Sequence, residues 1–370
     1  YHGNLHYAQR VNLGASIARG EYLVLVNALT AFIDKNWLHE LMNHALRPEV
    51  GIVGGKQVYA DGTVSNAGYV LGMNGVVGDA FLGTNDTHNG LMSRLHAVQN
   101  YSAVSGDFML VRQELFAALQ GFDESMTLYS DVDFCLRSRE AGFLTVWTPY
   151  AKLLRSVEKR QSEESEEIAP VSPQVDHEED RFYSRWMPLI TNDPAYSPHL
   201  SLSSNHFNVC PDSHLSWRPL GWNPLPVVLA HKGDFFGCGN YRIIKPFEAM
   251  RDHGLVDGKL QTNLLSVPYL ERYKPDSIVF QRQITPEYHQ WATKIAQHNS
   301  AFKVFELDDY LPNIPLKNHH RKDFGNDVLK MVRKSLSFAD RFVVSTAPLA
   351  EAFAGMHPDI VVRKNCLSLD

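Results

Sequence analysis

Apolar residues in the first part of the chain come in short blocks separated by amphipathic stretches. The block at residues 22–26 has the length of a strand, and Asp34-Lys35-Asn36 introduces a helix over residues 37–46 that Pro48 stops. The pattern continues with a strand over 50–53, a hairpin-like turn at Asp61-Gly62 and a strand over 108–111. A helix ending before Gly121, a helix over 131–141 closed by Gly142 and a short strand over 145–149 complete it. Strand and helix alternating in this way predict an α/β domain. From 158 to 180 the chain becomes strongly acidic and poor in large apolar groups, with Pro170 and Pro173 breaking any helix, so it reads as a loop or linker. Residues 182–226, rich in Trp and Pro, show no period and predict irregular structure against the first domain.

After Pro226 a second rhythm begins, with strands predicted over 227–230, 277–280, 303–307, 341–345 and 360–362. Thr285 followed by Pro286, and Thr346 followed by Pro348, are helix-start signals between them. Alternation at this spacing predicts a parallel, doubly wound sheet whose ligands sit at the carboxyl ends of the strands. The chain thus divides into residues 1–157, a connection over 158–225, and residues 226–370.

Length and composition narrow the function classes. At 370 residues the chain is too long for one core, and 44% hydrophobic with 21% charged residues is ordinary globular composition. A net charge of -6 gives no overall attraction for nucleic acid or anionic lipid, so neither is an expected partner. Cys135, Cys210, Cys238 and Cys366 form no CxxC pair and read as free thiols of a reducing cytoplasm. The most apolar run, residues 22–33, is broken by Asn27 and is shorter than the roughly 20 residues a membrane span needs. The chain opens without Met on Tyr1-His2-Gly3-Asn4, text that reads as the interior of a domain, so further parts of a parent chain are expected.

Candidate chemistry begins at Ser130-Asp131-Val132-Asp133, where a carboxylate opens a helix and a second follows two residues later on another face. Asp131 reads either as a helix cap or as a catalytic group. Around it stand, in order, Asn12-Leu13-Gly14-Ala15, Ala18-Arg19-Gly20-Glu21-Tyr22-Leu23, Val50-Gly51-Ile52-Val53-Gly54-Gly55-Lys56, Ala67-Gly68-Tyr69-Val70-Leu71-Gly72, Ser105-Gly106, Gly121-Phe122-Asp123-Glu124 and Trp147-Thr148-Pro149-Tyr150. In order and spacing these words resemble the glycosyltransferase family 2 domain of bacterial polysaccharide-assembling enzymes, of GT-A fold, over about residues 1–200.

The resemblance implies an inverting, hexosyltransferase-like reaction between a nucleotide-sugar donor and a glycan or lipid-linked saccharide acceptor, with Asp131 as base. It implies acceptor contacts from Gly106, Asp107 and Trp147, the last offering a stacking face or packing in the core. It implies donor-phosphate contacts from Asn27, Thr30 and Arg155, and a location in the cytoplasm or at the inner membrane face. The family's acidic motif, which holds Mn or Mg, is replaced by Val26-Asn27-Ala28-Leu29-Thr30, and Leu153-Leu154-Arg155-Ser156 lacks the histidine that often follows. The usual metal ligands are therefore absent and no metal site is expected. Either Arg155, with Lys152, carries the leaving diphosphate without metal, or the domain is a catalytically degenerate scaffold or acceptor platform.

In the second half, Gly237-Cys238-Gly239-Asn240-Tyr241-Arg242 is Gly-rich after a strand, yet Arg242 stands at the third glycine of a dinucleotide fingerprint, which weakens an oxidoreductase reading. With Tyr241-Arg242-Ile243-Ile244-Lys245-Pro246, Phe305-Glu306-Leu307-Asp308-Asp309-Tyr310 and Ala339-Asp340-Arg341-Phe342, the segment resembles the amino-terminal, Rossmann-like half of a GT-B glycosyltransferase of family 4, over about residues 226–370. That resemblance implies phosphate-side contacts from Gly237, Gly239 and Asn240. Asp308 and Asp309 read equally as caps or as acceptor-binding groups. His319 and His320 read as part of a solvated loop.

Overall fold

A computed structural model describes residues 5–28, 30–155, 173–210, 212, 224–311 and 327–365. The chain forms two compact units, residues 1–217 and 218–370. Both are α/β, and among the described residues no helix is long and apolar enough to cross a membrane.

In the first unit, helix α1 (Tyr7–Ile17) leads into strand β1 (Tyr22–Val26), followed by β2 (Thr30–Phe32), α2 (Trp37–Ala45), β3 (Val50–Tyr59), β4 (Val64–Asn66), β5 (Tyr69–Leu71), β6 (Val77–Asp79) and β7 (Gln99–Tyr101). Then come β8 (Phe108–Arg112), α3 (Gln113–Ala118), α4 (Ser130–Glu140), β9 (Leu144–Arg155) and α5 (Pro173–Thr191). The main sheet has the order β1-β8-β3-β9-β2, with β4 on β3 and β7 on β9. It is mixed: β3 and β9 run parallel, while β8 is antiparallel to both β1 and β3. Leu41 and Ala45 of α2 pack on Val53, Phe108, Leu110, Val146 and Leu153 of the sheet, all essentially without exposure. Gly51, Gly54 and Gly55 let side chains lie directly on β3; a Cβ at Gly54 would sit 2.6 Å from Val104.

Three departures from the periodicity matter. The strand expected over 145–149 runs on to Arg155, because β9 pairs with β3 as far as Tyr59 and with β2 at Thr30. Pro173 does not break a helix but opens one, where a missing N–H costs nothing. Buried positions at helical spacing in α5, Phe182, Tyr183, Trp186 and Ile190, face the unit, so the start of the span read as irregular, residues 182–191, belongs to a 19-residue helix. The residues after it fold back on the same unit. Asp193, 7% exposed, accepts the Ser102 hydroxyl, Leu71 N–H at 2.9 Å and Ala195 N–H at 2.8 Å, and Phe207 stacks on Phe81 at 4.7 Å.

The second unit is built on β10 (Val227–His231), β11 (Asp257–Gln261), β12 (Ser277–Gln281), β13 (Phe302–Leu307), β14 (Arg341–Val344) and β15 (Ile360–Val362). All neighbours are parallel, in the order β11-β10-β12-β13-β14-β15. Between them lie α6 (Lys245–Asp252), entered through a π-turn at Asn240–Ile244, then α7 (Val267–Tyr273), α8 (Pro286–His298), α9 (Val328–Leu336) and α10 (Ala347–Ala352). The hydroxyls of Thr285 and Thr346 accept the N–H groups of Tyr288 and Leu349, which are the caps expected there. His319, His320 and Cys366 lie outside the described residues.

Candidate functional site

Residues Tyr7, Arg10, Val11, Gly14 and Ala15 recur at helical spacing and, with Ala18 just past the helix end, form one stripe. With Tyr22–Val26 of β1, and with Asn27, Ala28 and Gly106, that stripe lines a cleft of about 710 Å³. Small residues at 14, 15 and 18 keep it open.

Asp131 stands behind Gly106 at this cleft. Its Oδ2 accepts the Gly106 N–H at 2.8 Å and its Oδ1 the Val132 N–H at 2.8 Å. The approach requires glycine: a Cβ at position 106 would lie 3.0 Å from the Asp131 Cβ and 2.4 Å from the Tyr7 hydroxyl. Asp131 is 8% exposed, and burial pushes its carboxyl up to about 6, although the two backbone N–H groups pull it down and Asp107 adds to the rise. A carboxylate tuned to this range is ionised at neutral pH yet basic enough to take a proton. The Tyr7 hydroxyl above Gly106 is buried without a hydrogen-bond partner among the described residues, and burial raises its pKa first, with Asp131 adding to it.

Asp133, two residues on, points elsewhere. Arg137, Arg185 and the Trp186 indole N–H take up its carboxylate at 2.7, 3.0 and 3.0 Å, so it is a fully buried structural group.

A second cluster gathers Asn27, Thr30, Asp107 and Arg155. Asn27 Nδ2 donates to Asp107 at 3.1 Å, Arg155 pairs with the other Asp107 oxygen at 2.9 Å, and the Thr30 hydroxyl donates to the Asn27 carbonyl at 2.6 Å. The residues do not fit a divalent cation. Ala28 offers no side-chain oxygen, and the carboxylate of Asp107 already faces a guanidinium that would repel the ion. Lys152, the second cation expected there, is held with Lys56 on the Asp86 carboxylate.

Trp147 requires correction. It is fully buried and lies edge-on to Tyr101 at 6.1 Å, so it has no face for a sugar ring and serves the core.

In the second unit the residues proposed from sequence converge at the carboxyl ends of β10, β12 and β13. Sheet order reverses between β10 and β12, the place where parallel sheets leave a crevice. The Gly239 N–H does not face outward: it donates to Asp234 Oδ1 at 3.0 Å, as does the Phe236 N–H at 2.8 Å, and Asn240 N–H donates to the Phe236 carbonyl. An internal carboxylate thus occupies the position expected for a phosphate, and Gly239 is needed because a Cβ there would meet the Asp234 carbonyl at 1.9 Å. Gly237 retains open space. Asp234 is paired in turn with Arg282, which lies 3.9 Å from Asp308. Among the described residues Cys238, Asp308 and Asp309 bring potential metal-ligand atoms within 4.8 Å of one another. The Arg282 guanidinium stands beside that cluster but is shared with Asp234, and burial first, then the hydrogen bond to Asp308, pushes the Cys238 thiol up to about 12, away from thiolate. Beneath the crevice Arg242 and Glu306 form a buried ion pair.

Sequence reasoning had not singled out Tyr7, Asp234, Arg282 or Arg242 with Glu306 as a pair. Asp234 with Arg282, and Arg242 with Glu306, pair across dozens of residues, and only the spacing of Tyr7 on the α1 stripe left a local trace.

Comparison with known proteins agrees with the first unit. Over 206 residues, 55% of this chain, it is 37% identical to the uncharacterized protein y4gI of Sinorhizobium fredii (strain NBRC 101917 / NGR234). Over 200 residues, 52% of the chain, it is 34% identical to the O-antigen biosynthesis protein RfbC of Myxococcus xanthus. The matches span 22% and 15% of those proteins' own lengths. The model of the family described as Glycosyl transferase family group 2 matches residues 24–230, more than half of the chain, running from β1 through α5 into β10. The chain therefore belongs to glycosyl transferase family group 2.

Proposed function

We propose that the first unit transfers a sugar from a nucleotide-sugar donor to a glycan or lipid-linked saccharide acceptor, with inversion, and that Asp131 is the base. The supporting observation is the buried Asp131 carboxylate, raised to about 6, behind Gly106 at the head of the α1–β1 cleft. An acceptor hydroxyl oxygen attacks the anomeric carbon, its proton passes to Asp131, and the bond to the diphosphate breaks. This reading takes the unit as a partial GT-A domain. Arg155 then meets the leaving diphosphate, exchanging its pair with Asp107 for two phosphate oxygens, with Asn27 and Thr30 beside it. The name of the Myxococcus relative supports surface-polysaccharide assembly as the setting, with the donor reached from the cytoplasm or the inner membrane face.

The second unit is proposed as the amino-terminal Rossmann-like half of a GT-B domain, with Asp308 and Asp309 toward an acceptor at the strand ends. The division expected at 1–157, 158–225 and 226–370 is redrawn here: α5 and the described residues after it pack on the transfer unit, which runs to 217, and the half-domain follows.

A second reading, a catalytically degenerate first unit serving as scaffold or acceptor platform, is favoured by the Asp107–Arg155 pair standing where a cation would be held. Turnover of a panel of UDP-, GDP- and dTDP-sugars by the full-length protein separates the two. The transferase reading expects turnover that survives EDTA and falls about 10-fold or more in Arg155→Ala, since electrostatic stabilisation of the departing charge is commonly the largest catalytic contribution. Absence of turnover with every donor would support the scaffold.

A further inference from the structure

Helix α4 begins on a residue that cannot cap it. Tyr129 is the N-cap and its side chain accepts no hydrogen bond from the first turn. The amide donors at the entry are taken instead by a carboxylate about 50 residues further along. Glu178 of α5, 4% exposed, accepts the Leu128 N–H at 2.6 Å and the Tyr129 N–H at 3.0 Å on Oε1, and the Thr127 hydroxyl at 2.7 Å on Oε2. Burial alone would raise its pKa, but these donors outweigh burial and hold Glu178 below the ordinary glutamate range.

The rest of α5 grips the same segment. Arg181 donates to the Ser125 carbonyl at 2.7 Å, the Phe182 ring packs on Tyr129 at 5.4 Å, and Trp186 and Arg185 hold Asp133. Residues 125–129 and 133 are thus fixed from α5 on either side of Asp131, whose own carboxylate faces the opposite way, onto Gly106. Among these contacts Glu178 alone fixes the backbone immediately before Asp131, and therefore the depth at which that carboxylate stands behind the cleft.

We infer that Glu178 is a positioning residue for the Asp131 base, acting through the backbone of residues 127–129. The inference rests on the Asp131 reading above. It assigns α5 a part in the chemistry: a displacement of the base by about 1 Å is enough to cost a large factor in rate.

Three variants of the full-length protein test it, with Asp131→Asn as control. Glu178→Gln keeps an acceptor oxygen for both amides, Glu178→Asp keeps the charge but is one methylene too short, and Glu178→Ala removes both. Expected kcat, read as nucleotide release from the best donor of the UDP-, GDP- and dTDP-sugar panel, follows the order wild type, Gln, then Asp and Ala. The last two should fall about 10- to 100-fold, with affinity for the free nucleoside diphosphate unchanged. The acid limb of the rate profile should move below its wild-type midpoint in Glu178→Asp as Asp131 gains water. A readout independent of activity is the pH at which the stability difference between Asp131→Asn and its parent stops growing, which is set by the folded Asp131 carboxyl and should move down equally in the Glu178→Asp background. Equal kcat and an unmoved limb in a folded Glu178→Asp protein, while Asp131→Asn is inactive, would overturn this role alone. An active Asp131→Asn protein would overturn the base assignment and this role with it. If Glu178→Ala does not fold, the Gln and Asp variants decide by the same order.

Discussion

Asp131→Asn in the full-length protein is expected to lower the rate of sugar transfer by about 10²–10⁴-fold, the usual contribution of a positioned general base, with nucleotide affinity nearly unchanged. The amide retains an oxygen for the Gly106 N–H but cannot accept the proton. In the wild-type protein kcat/KM should rise with pH through a midpoint near the Asp131 value of about 6 and then level, because only the ionised form is a base. Undiminished transfer by the variant would remove the proposed mechanism.

The same substitution is expected to stabilise the fold. Burial raises the Asp131 carboxyl from its ordinary 3.8 to about 6, so as pH climbs between these values the unfolded chain gives up its proton first. The native state is then penalised, fully so once pH exceeds the folded value. Asn carries no charge, although its amide nitrogen cannot accept the Val132 N–H, a cost that does not vary with pH. Denaturant melts should therefore show the variant gaining about 2–3 kcal/mol relative to wild type between about pH 3 and pH 8. A gain that did not vary with pH would mean that packing, not charge, is responsible. Lower activity with higher stability is the signature of a group kept for its chemistry.

The other large effect belongs to the second unit. Arg242 is 7% exposed and ties Glu306 to the Arg363 carbonyl and Asn365, joining the entry of α6 to β13 and to the residue after β15. Arg242→Ala leaves Glu306, 3% exposed, without its counter-charge, and should destabilise the unit by about 3–5 kcal/mol. Burial already drives the Glu306 carboxyl up to about 7 against the pull of the guanidinium, so the variant should lose most at alkaline pH, where that carboxyl must ionise. Hydrogen exchange of β13 peptides reads the loss directly. Arg242→Met combined with Glu306→Leu, which leaves neither charge behind, should recover most of it. Equal destabilisation by the single and double variants would place the effect in packing instead.

Much of this architecture was legible from periodicity. The strands at 22–26 and 227–230 are uninterrupted apolar runs, and Thr-Pro starts and glycine stops marked helices whose caps the structure contains. Strand β11 was missed because Asp257-Gly258-Lys259-Leu260-Gln261 has neither an apolar run nor alternation. It lies at the sheet edge, half-buried along its length, where backbone pairing with β10 outweighs side-chain pattern. Helix α5 was obscured by Pro173 and the acidic run before it, features that also fit a helix start. At the site, the words around Gly106 and Asp131 led to two residues in direct contact. Trp147 misled because an indole suits both a sugar and a core, and only its neighbours decide. Glu178 left no local trace: a carboxylate capping a turn some 50 positions away is a property of the fold, not of any word in the chain.

The anchorage of Asp193 bears on how a shorter polypeptide ought to be cut for the bench. Ending it near residue 157 would strip the Leu71 amide and the Ser102 hydroxyl of their acceptor, leave Phe81 without its stacked ring and take Arg185 and Trp186 from the buried Asp133 carboxylate. A protein trimmed that way would be prone to clump, and its silence in an assay would say nothing about Asp131. A safer scissor point lies past Cys210, whose main-chain N–H is tied to the His199 carbonyl.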